Sequence, residues 1–267
     1  MKILFDGIIY PETTPLLTFS DRGLLYGDGI FETMLMTDGH IRNLSGHVNR
    51  ISEGMKVLQI QGKIAEDVIR EKAISLAKEH ALTGMVRVKW VIWRKPGGLY
   101  TPASEDFHEL IKVTPFSPGT AEVQKADFAE KAIVSYSAIS RFKTVSALPY
   151  VLASIECRDR SMDDLIILSA DGNVAECLYS NLFWGTGRLL HTPSLQTGCI
   201  EGVRRKALLK HLPELGYTIK ETLSRPQELL SADYTFRTNA TSIVPIRQIA
   251  SHTYQSVPDD ILSLTEV

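Results

Sequence analysis

Apolar and polar positions alternate most regularly around residue 90. Val86, Val88, Trp90 and Ile92 interleave with Arg87, Lys89 and Val91, so the period of two predicts a strand with a mostly polar opposite face. Upstream, Ile3-Leu4-Phe5 ends at Asp6-Gly7 and reads as a first strand. Asp38-Gly39 joins the segments 31–37 and 40–43, a short-range hairpin signal. The period then lengthens. Val48, Ile51, Met55 and Leu58 recur at three and four residues after Ser45, predicting a helix with Ser45 as its N-cap. Ile64, Val68, Ile69, Ala73, Leu76 and Ala77 predict a second helix that stops near Gly84.

Residues 114–120, Thr-Pro-Phe-Ser-Pro-Gly-Thr, have the composition of a connecting loop. Beyond them a strand at 132–136 leads into a loop carrying Lys143. A helix follows with Leu148, Val151, Leu152 and Ile155 on one face. Two hairpins then span 164–191, turning at Asp171-Gly172 and at Gly185-Thr186-Gly187. A helix starts at Val203, and late strands fall at 235–238 and 243–246. Strands and helices mix without regular βαβ alternation, which predicts an α+β protein. Its expected domains are residues 1–113 and 123–267, joined by a linker at 114–122.

Composition narrows the function classes. The 267 residues are 44% apolar and 22% charged, ordinary for a soluble globular protein. A net charge of −2 argues against a protein that tracks nucleic-acid phosphates. No apolar run reaches the roughly 18 residues of a membrane span. Cys157, Cys177 and Cys199 are odd in number and widely spaced, and the seven histidines form no ligand pair. A cytoplasmic protein without a metal is the expectation.

Three features carry candidate chemistry. Lys143 follows a strand and precedes a helix, beside Arg141 and Phe142; partial burial and nearby positive charge are what turn such an amine into a nucleophile. Glu176 interrupts an otherwise apolar strand, where a glutamate ordinarily marks an edge. Gly202-Val203-Arg204 opens a helix whose bare N–H groups suit an anion, and Thr238 offers a hydroxyl to the same anion. Arg50 stands one helical turn after His47. A lone lysine, a strand glutamate and a helix start are each commonplace. An amine, a carboxylate held among strands and an anion site together are what pyridoxal phosphate chemistry requires.

In order and spacing these segments resemble the class IV pyridoxal-phosphate aminotransferases, a family that includes branched-chain and D-amino-acid aminotransferases and 4-amino-4-deoxychorismate lyase. The resemblance rests on Asp21 to Thr33 (Asp-Arg-Gly-Leu-Leu-Tyr-Gly-Asp-Gly-Ile-Phe-Glu-Thr), His47-Val48-Asn49-Arg50, Lys143, Glu176 with Ser180-Asn181-Leu182-Phe183, Thr192-Pro193, Gly198 and Gly202-Val203-Arg204-Arg205. It covers nearly the whole chain. It implies the fold-type IV architecture: a smaller N-terminal α/β domain, a larger C-terminal domain with a β-barrel-like core, and the cofactor between them. It also implies at least a homodimer with the active site near the subunit boundary, which makes the 94–102 loop a candidate to reach across.

By matching position, Lys143 becomes the Schiff-base residue and proton carrier, and Glu176 the partner of the pyridine nitrogen. Arg50, the Val203 and Arg204 amides and the Thr238-Asn239 region become phosphate contacts, with Ser180 and Asn181 beside the cofactor. Phe31, Arg94 and Tyr100 are candidates for the substrate side. The family often has Thr or Ser where Arg204 stands. Leu148 occupies the place of a tyrosine found in the branched-chain branch. The Arg-x-His carboxylate trap of the D-amino-acid branch gives way to Trp93-Arg94-Lys95-Pro96-Gly97-Gly98-Leu99-Tyr100. The activity implied is amino transfer between an amino acid and a 2-oxo acid. The alternative is a lyase releasing pyruvate and 4-aminobenzoate, a reaction of folate synthesis.

Overall fold

The alternating segment around Trp90 lies in the middle of an antiparallel sheet in the computed structural model, which describes residues 1–264. Contacts divide the chain into two units. Unit 1 holds Met1–Ser117 together with Phe142–Ser146; unit 2 holds Pro118–Arg141 and the residues from Ala147 onward. The first break follows Ser117. The five residues around Lys143, however, group with unit 1 rather than with the C-terminal domain. Phe142 is the reason, because its ring is buried in the core of unit 1.

Unit 1 runs β1 (Lys2–Phe5), β2 (Ile8–Pro11), α1 (Arg22–Tyr26), β3 (Gly29–Thr37), β4 (His40–Ile41), α2 (Leu44–Val57), α3 (Glu66–Glu79), β5 (Met85–Arg94) and β6 (Phe107–Pro115). Its six strands lie in the order β2-β1-β6-β5-β3-β4, every pair antiparallel. Asp38 and Gly39 both take positive φ (49° and 79°) at the β3–β4 turn, the backbone that a two-residue hairpin requires. One face of the sheet, with Met34, Met36, Val88, Trp90 and Ile92, packs against Val48, Ile51 and Met55 of α2 and Ile69, Ala73 and Leu76 of α3.

Two helix starts differ from expectation. Asn43, with φ 52°, occupies the N-cap of α2 without a side-chain cap bond. Ser45 lies inside the first turn and donates to Glu66 at 3.2 Å instead. Ile64 precedes α3 and packs on the core from outside the helix.

Unit 2 runs β7 (Ala126–Val134), α4 (Leu148–Asp159), β8 (Asp164–Ser169), β9 (Val174–Cys177), β10 (Asn181–Thr186), β11 (Leu189–Pro193), α5 (Val203–His211), β12 (Thr218–Thr222), α6 (Pro226–Leu230), β13 (Tyr234–Thr238), β14 (Ile243–Pro245), β15 (Gln248–Ile249), β16 (His252–Thr253) and α7 (Asp259–Leu262). Two five-stranded sheets, β12-β11-β10-β13-β14 and β16-β15-β7-β8-β9, share one core: Leu182, Trp184 and Val244 from the first meet Ala126, Ile166, Val174 and Ile249 from the second. That shared interior makes the unit barrel-like.

Helix α4 packs on β7 and β8 through Ala153 and Cys157, in a cluster with Ala132, Val134, Leu165 and Ile167. Small side chains let the helix come close. Its periodic apolar residues Leu148, Val151, Leu152 and Ile155 do lie along one face, but that face is exposed, Leu148 to 69%.

Candidate active site

The candidate residues form two clusters, one in each unit. In unit 1 the Lys143 segment is bound to the start of β3. The Phe31 N–H donates to the Lys143 carbonyl at 2.8 Å, and the Val145 N–H to the Gly29 carbonyl at 2.9 Å. Gly29 is needed there, since a Cβ would meet the Ile92 carbonyl oxygen at 2.6 Å. The Lys143 Nζ lies 5.0 Å from the centre of the Phe31 ring, and the Lys89 Nζ approaches that ring to the same distance.

Glu32, the residue after Phe31, points to the opposite face and is buried against α2. Arg50 donates to it twice, Nε to Oε1 and Nη2 to Oε2, both at 2.6 Å. The His47 Nδ1 is 2.7 Å from Oε2. Burial alone would raise the Glu32 carboxyl, but the Arg50 and His47 charges and bonds overcome it and hold the group at about 2. The one-turn spacing of His47 and Arg50 is therefore a shared grip on one carboxylate. Glu32 stood in the quoted motif, but its role was not legible: the signal lay in a strand residue matching two helix residues across the packing.

Arg94 is drawn inward. It is 2% exposed and its Nε donates to Asp28 at 2.9 Å, while its Nη atoms reach the carbonyls of Leu58, Gln59 and Ser104. Arg22 shares Asp28 at 2.8 Å and donates to the carbonyls of Gly97 (3.0 Å) and Leu99 (2.6 Å). The two arginines thus brace the glycine-rich loop. Tyr100 is 89% exposed and lies 5.7 Å from the Tyr26 ring.

In unit 2, β9 is an edge strand as Glu176 implied, yet the glutamate itself is buried. Tyr150 of α4 donates its hydroxyl to Oε1 at 2.6 Å, and the Ile200 N–H donates to Oε2 at 3.2 Å. Burial first, then the neighbouring Glu176, push loss of the Tyr150 proton far above the ordinary phenol value. Nothing in the local sequence marks Tyr150, because its role depends on a partner 26 residues away.

Asn181 ties the next piece. Its Nδ2 donates to the Ile200 carbonyl at 2.7 Å, and a Cβ on Gly202 would collide with its Oδ1. Only glycine fits at that N-cap, and its lack of a side chain means that no N-cap side chain bonds the first turn of α5, which starts at Val203 and Arg204. Asn181 pairs with Thr238 across β10 and β13. The Thr238 hydroxyl donates to the Ser242 carbonyl at 3.3 Å, and the Asn239 Oδ1 accepts from Thr241 N (2.9 Å) and Ser242 N (3.3 Å). Asn239 Nδ2 donates to the Ser180 Oγ at 3.1 Å. The buried Arg204 side chain reaches the Leu264 carbonyl at 3.2 Å and the Ala240 carbonyl at 3.4 Å. Glu176, Asn181 and Gly202 are thereby linked through Ile200, and Ser180, Thr238 and Asn239 through one another and Ser242, with Val203 and Arg204 next in the chain after Gly202. Among the described residues no group of His, Cys, Asp and Glu could hold a metal ion.

Known proteins can now be set beside this geometry. The family model for amino-transferase class IV matches residues 29–249. Aminodeoxychorismate lyase of Bacillus subtilis (strain 168) is 28% identical, over 99% of this chain and 92% of its own length. The crystal structure of the branched-chain aminotransferase from Thermoproteus uzoniensis with norvaline superposes with a TM-score of 0.90 at 24% identity, covering 100% of this chain and 93% of that one. That of 4-amino-4-deoxychorismate lyase from Pseudomonas aeruginosa gives 0.85, also at 24% identity, covering 98% and 96%. The chain belongs to the class IV aminotransferase family: it is an enzyme with the fold-type IV architecture that the resemblance implied.

Proposed function

We propose that this enzyme binds pyridoxal 5'-phosphate and uses Lys143 to move the Cα proton of an amino-acid substrate, transferring the amino group to a 2-oxo acid. The observation that carries the reading is the chemistry of the two clusters. A primary amine beside an aromatic ring, a buried carboxylate held by a phenol and an amide, and a helix start open only to glycine match the aldehyde, ring nitrogen and phosphate of that cofactor. The bound cofactor supplies an electron-withdrawing ring that stabilises negative charge at the substrate Cα.

The chain's own residues do the rest. The Lys143 Nζ would hold the cofactor covalently until the substrate amine displaces it, and the freed amine would then take the Cα proton and deliver it to the cofactor. The Glu176 carboxylate would accept a hydrogen bond from the ring nitrogen. Arg50, the Val203 and Arg204 amides and Thr238, with Asn239, Ser180 and Asn181 around it, would hold the phosphate by charge-assisted bonds. Phe31 lines the attachment point.

A second reading, a lyase releasing pyruvate and 4-aminobenzoate, is favoured by the Bacillus subtilis relative, whose likeness runs over 99% of this chain. In it the same amine removes the same Cα proton. The protein is a homodimer of the cytoplasm in both readings. The exposed stripe of α4 and the exposed Leu24, Leu25, Leu99 and Tyr100 support the first point; the three buried cysteines without disulfides support the second.

The test is borohydride reduction of the yellow holoprotein, followed by peptide mass spectrometry. The visible band bleaches and the label maps to Lys143. Lys143→Ala lowers turnover by at least about a hundredfold to ten-thousandfold with unchanged circular dichroism. A protein that stays colourless with added cofactor, or a label on another lysine, overturns the reading. Turnover of aminodeoxychorismate, set beside L- and D-amino acids with 2-oxoglutarate or pyruvate, decides between the two reactions.

A further inference from the structure

We propose that Tyr150 is a positioning residue for Glu176: its hydroxyl donates to one carboxylate oxygen, aims the group and lowers its appetite for a proton, so that the proton stays on the cofactor's ring nitrogen. The proposal rests on the pyridoxal phosphate reading above and adds a residue to it.

Three observations lead there. The Tyr150 Oη to Glu176 Oε1 bond is short, 2.6 Å, as expected when a hydroxyl meets an ionised acceptor. The phenol keeps its proton, since burial and the adjacent carboxylate both oppose its loss, and it therefore acts as a donor at any working pH. Lastly, the backbone around Glu176 is fixed without Tyr150. Ile167 of β8 pairs with Glu176, the Cys177 N–H donates to the Ser180 carbonyl at 2.8 Å, and the Leu178 N–H donates to buried Asp164 at 3.2 Å. What Tyr150 adds is a bond to the carboxylate itself.

The position of Tyr150 on α4 is also specific. One turn later, Ser154 Oγ lies 2.8 Å from the Tyr179 Oη, so α4 bonds twice to the strand that carries Glu176 and the connection after it. The face of α4 that turns inward is the one with Tyr150, Ala153, Glu156 and Cys157. Tyr150 brings to that face a hydroxyl whose described partner is the candidate ring-nitrogen acceptor.

The physical consequence has a definite sign. A hydrogen bond to the charged form of a carboxylate favours that form. Removing the phenolic donor raises the carboxylate's proton affinity, and the proton shared with a pyridine nitrogen moves toward oxygen. A stronger donor moves it back toward nitrogen.

The experiment is nuclear magnetic resonance of the holoprotein loaded with pyridoxal phosphate labelled with nitrogen-15 in the ring. In Tyr150→Phe the ring resonance moves from the wild-type position part of the way toward that of Glu176→Gln. Adding Tyr150→Phe to Glu176→Gln produces no further movement. Incorporating 3-fluorotyrosine at position 150 keeps the shape, makes the donor more acidic and moves the resonance in the opposite direction; this arm holds even if the phenylalanine variant folds poorly. Resonances that match wild type in both Tyr150 variants overturn the proposal, as does an equal movement in the Glu176→Gln background. A wild-type chain that binds no pyridoxal phosphate overturns the cofactor reading and this inference with it, an outcome plainly distinct from the other two.

Discussion

Helices α2 and α4 carry the same kind of apolar stripe and use it in opposite ways. Val48, Ile51 and Met55 of α2 are buried against the unit 1 sheet, whereas Leu148, Val151, Leu152 and Ile155 of α4 are exposed on unit 2. Each helix also sends polar residues inward, always to a partner. From α2, His47 and Arg50 meet Glu32. From α4, Tyr150 meets Glu176, and Glu156 accepts from the amides of Glu130 (3.0 Å) and Lys131 (2.9 Å), where β7 loses register with β8 between Phe128 and Ile133. Period identifies a helix. It does not say which side is inside, and on α4 the inward side was decided by hydrogen bonds to a strand irregularity and to the site.

The contrast is broken most sharply by placing the same charge on both stripes. Ile51→Asp buries an unpaired carboxylate in the unit 1 core and removes a side chain that is 2% exposed. The expected loss is about 4 kcal/mol or more, read by urea unfolding with circular dichroism. A loss under about 1 kcal/mol would mean that the stripe of α2 is not the core face.

Next in size is Glu32→Gln, which breaks the buried ion pair with Arg50 and costs about 3–5 kcal/mol. Its pH dependence has a fixed sign. The folded carboxyl lies at about 2, below the ordinary glutamate value of about 4.3. Its contribution is therefore complete above about 4.3 and is lost as pH falls toward 2. The stability of wild type should drop through that window more steeply than that of Glu32→Gln. Parallel curves would show that Glu32 is not held by its cations. Glu156→Gln is milder, about 1–3 kcal/mol, because the amide oxygen still accepts from one or both backbone donors. Burial opposes the Glu156 charge, but the Glu130 and Lys131 amides and then Arg160 hold the group below the usual carboxylate range.

Much of this was legible in residues alone, and the misses share a cause. The Asp38-Gly39 hairpin, the β5 alternation and the start of α5 at Val203 are local, set by turn chemistry and period. The unit assignment of Lys143 was not, because it depends on where the Phe142 ring is buried and on bonds from Phe31 and Val145. Ser45 was a plausible cap by type, yet Asn43 entered the left-handed region two residues earlier and displaced it. Glu32 and Tyr150 each gain meaning from a partner on another element, 18 and 26 residues away. The cation at Arg94 looked available to substrate in the sequence. In the fold, Asp28 and three carbonyls take up its donors.

The smallest effect on folding is expected from Leu152→Asp, and it sharpens the comparison most. Leu152 is half exposed, so an aspartate there meets water, and the stability of the dissociated chain should change by no more than about 0.5 kcal/mol. Self-association should change far more. A homodimer that covers the α4 stripe must desolvate the new carboxylate in each copy, a cost that its rim cannot relieve if the stripe is central. Sedimentation equilibrium should show the dissociation constant rising at least about tenfold, equivalent to about 1.4 kcal/mol. Stability has to be compared at protein concentrations below that constant, because dimerisation would itself add apparent stability to wild type. A dimer unchanged by Leu152→Asp would move the subunit contact elsewhere, with the braced loop at Tyr100 next in line. A variant that unfolds as readily as Ile51→Asp would mean instead that the two helices are alike after all, each with its apolar face in a core.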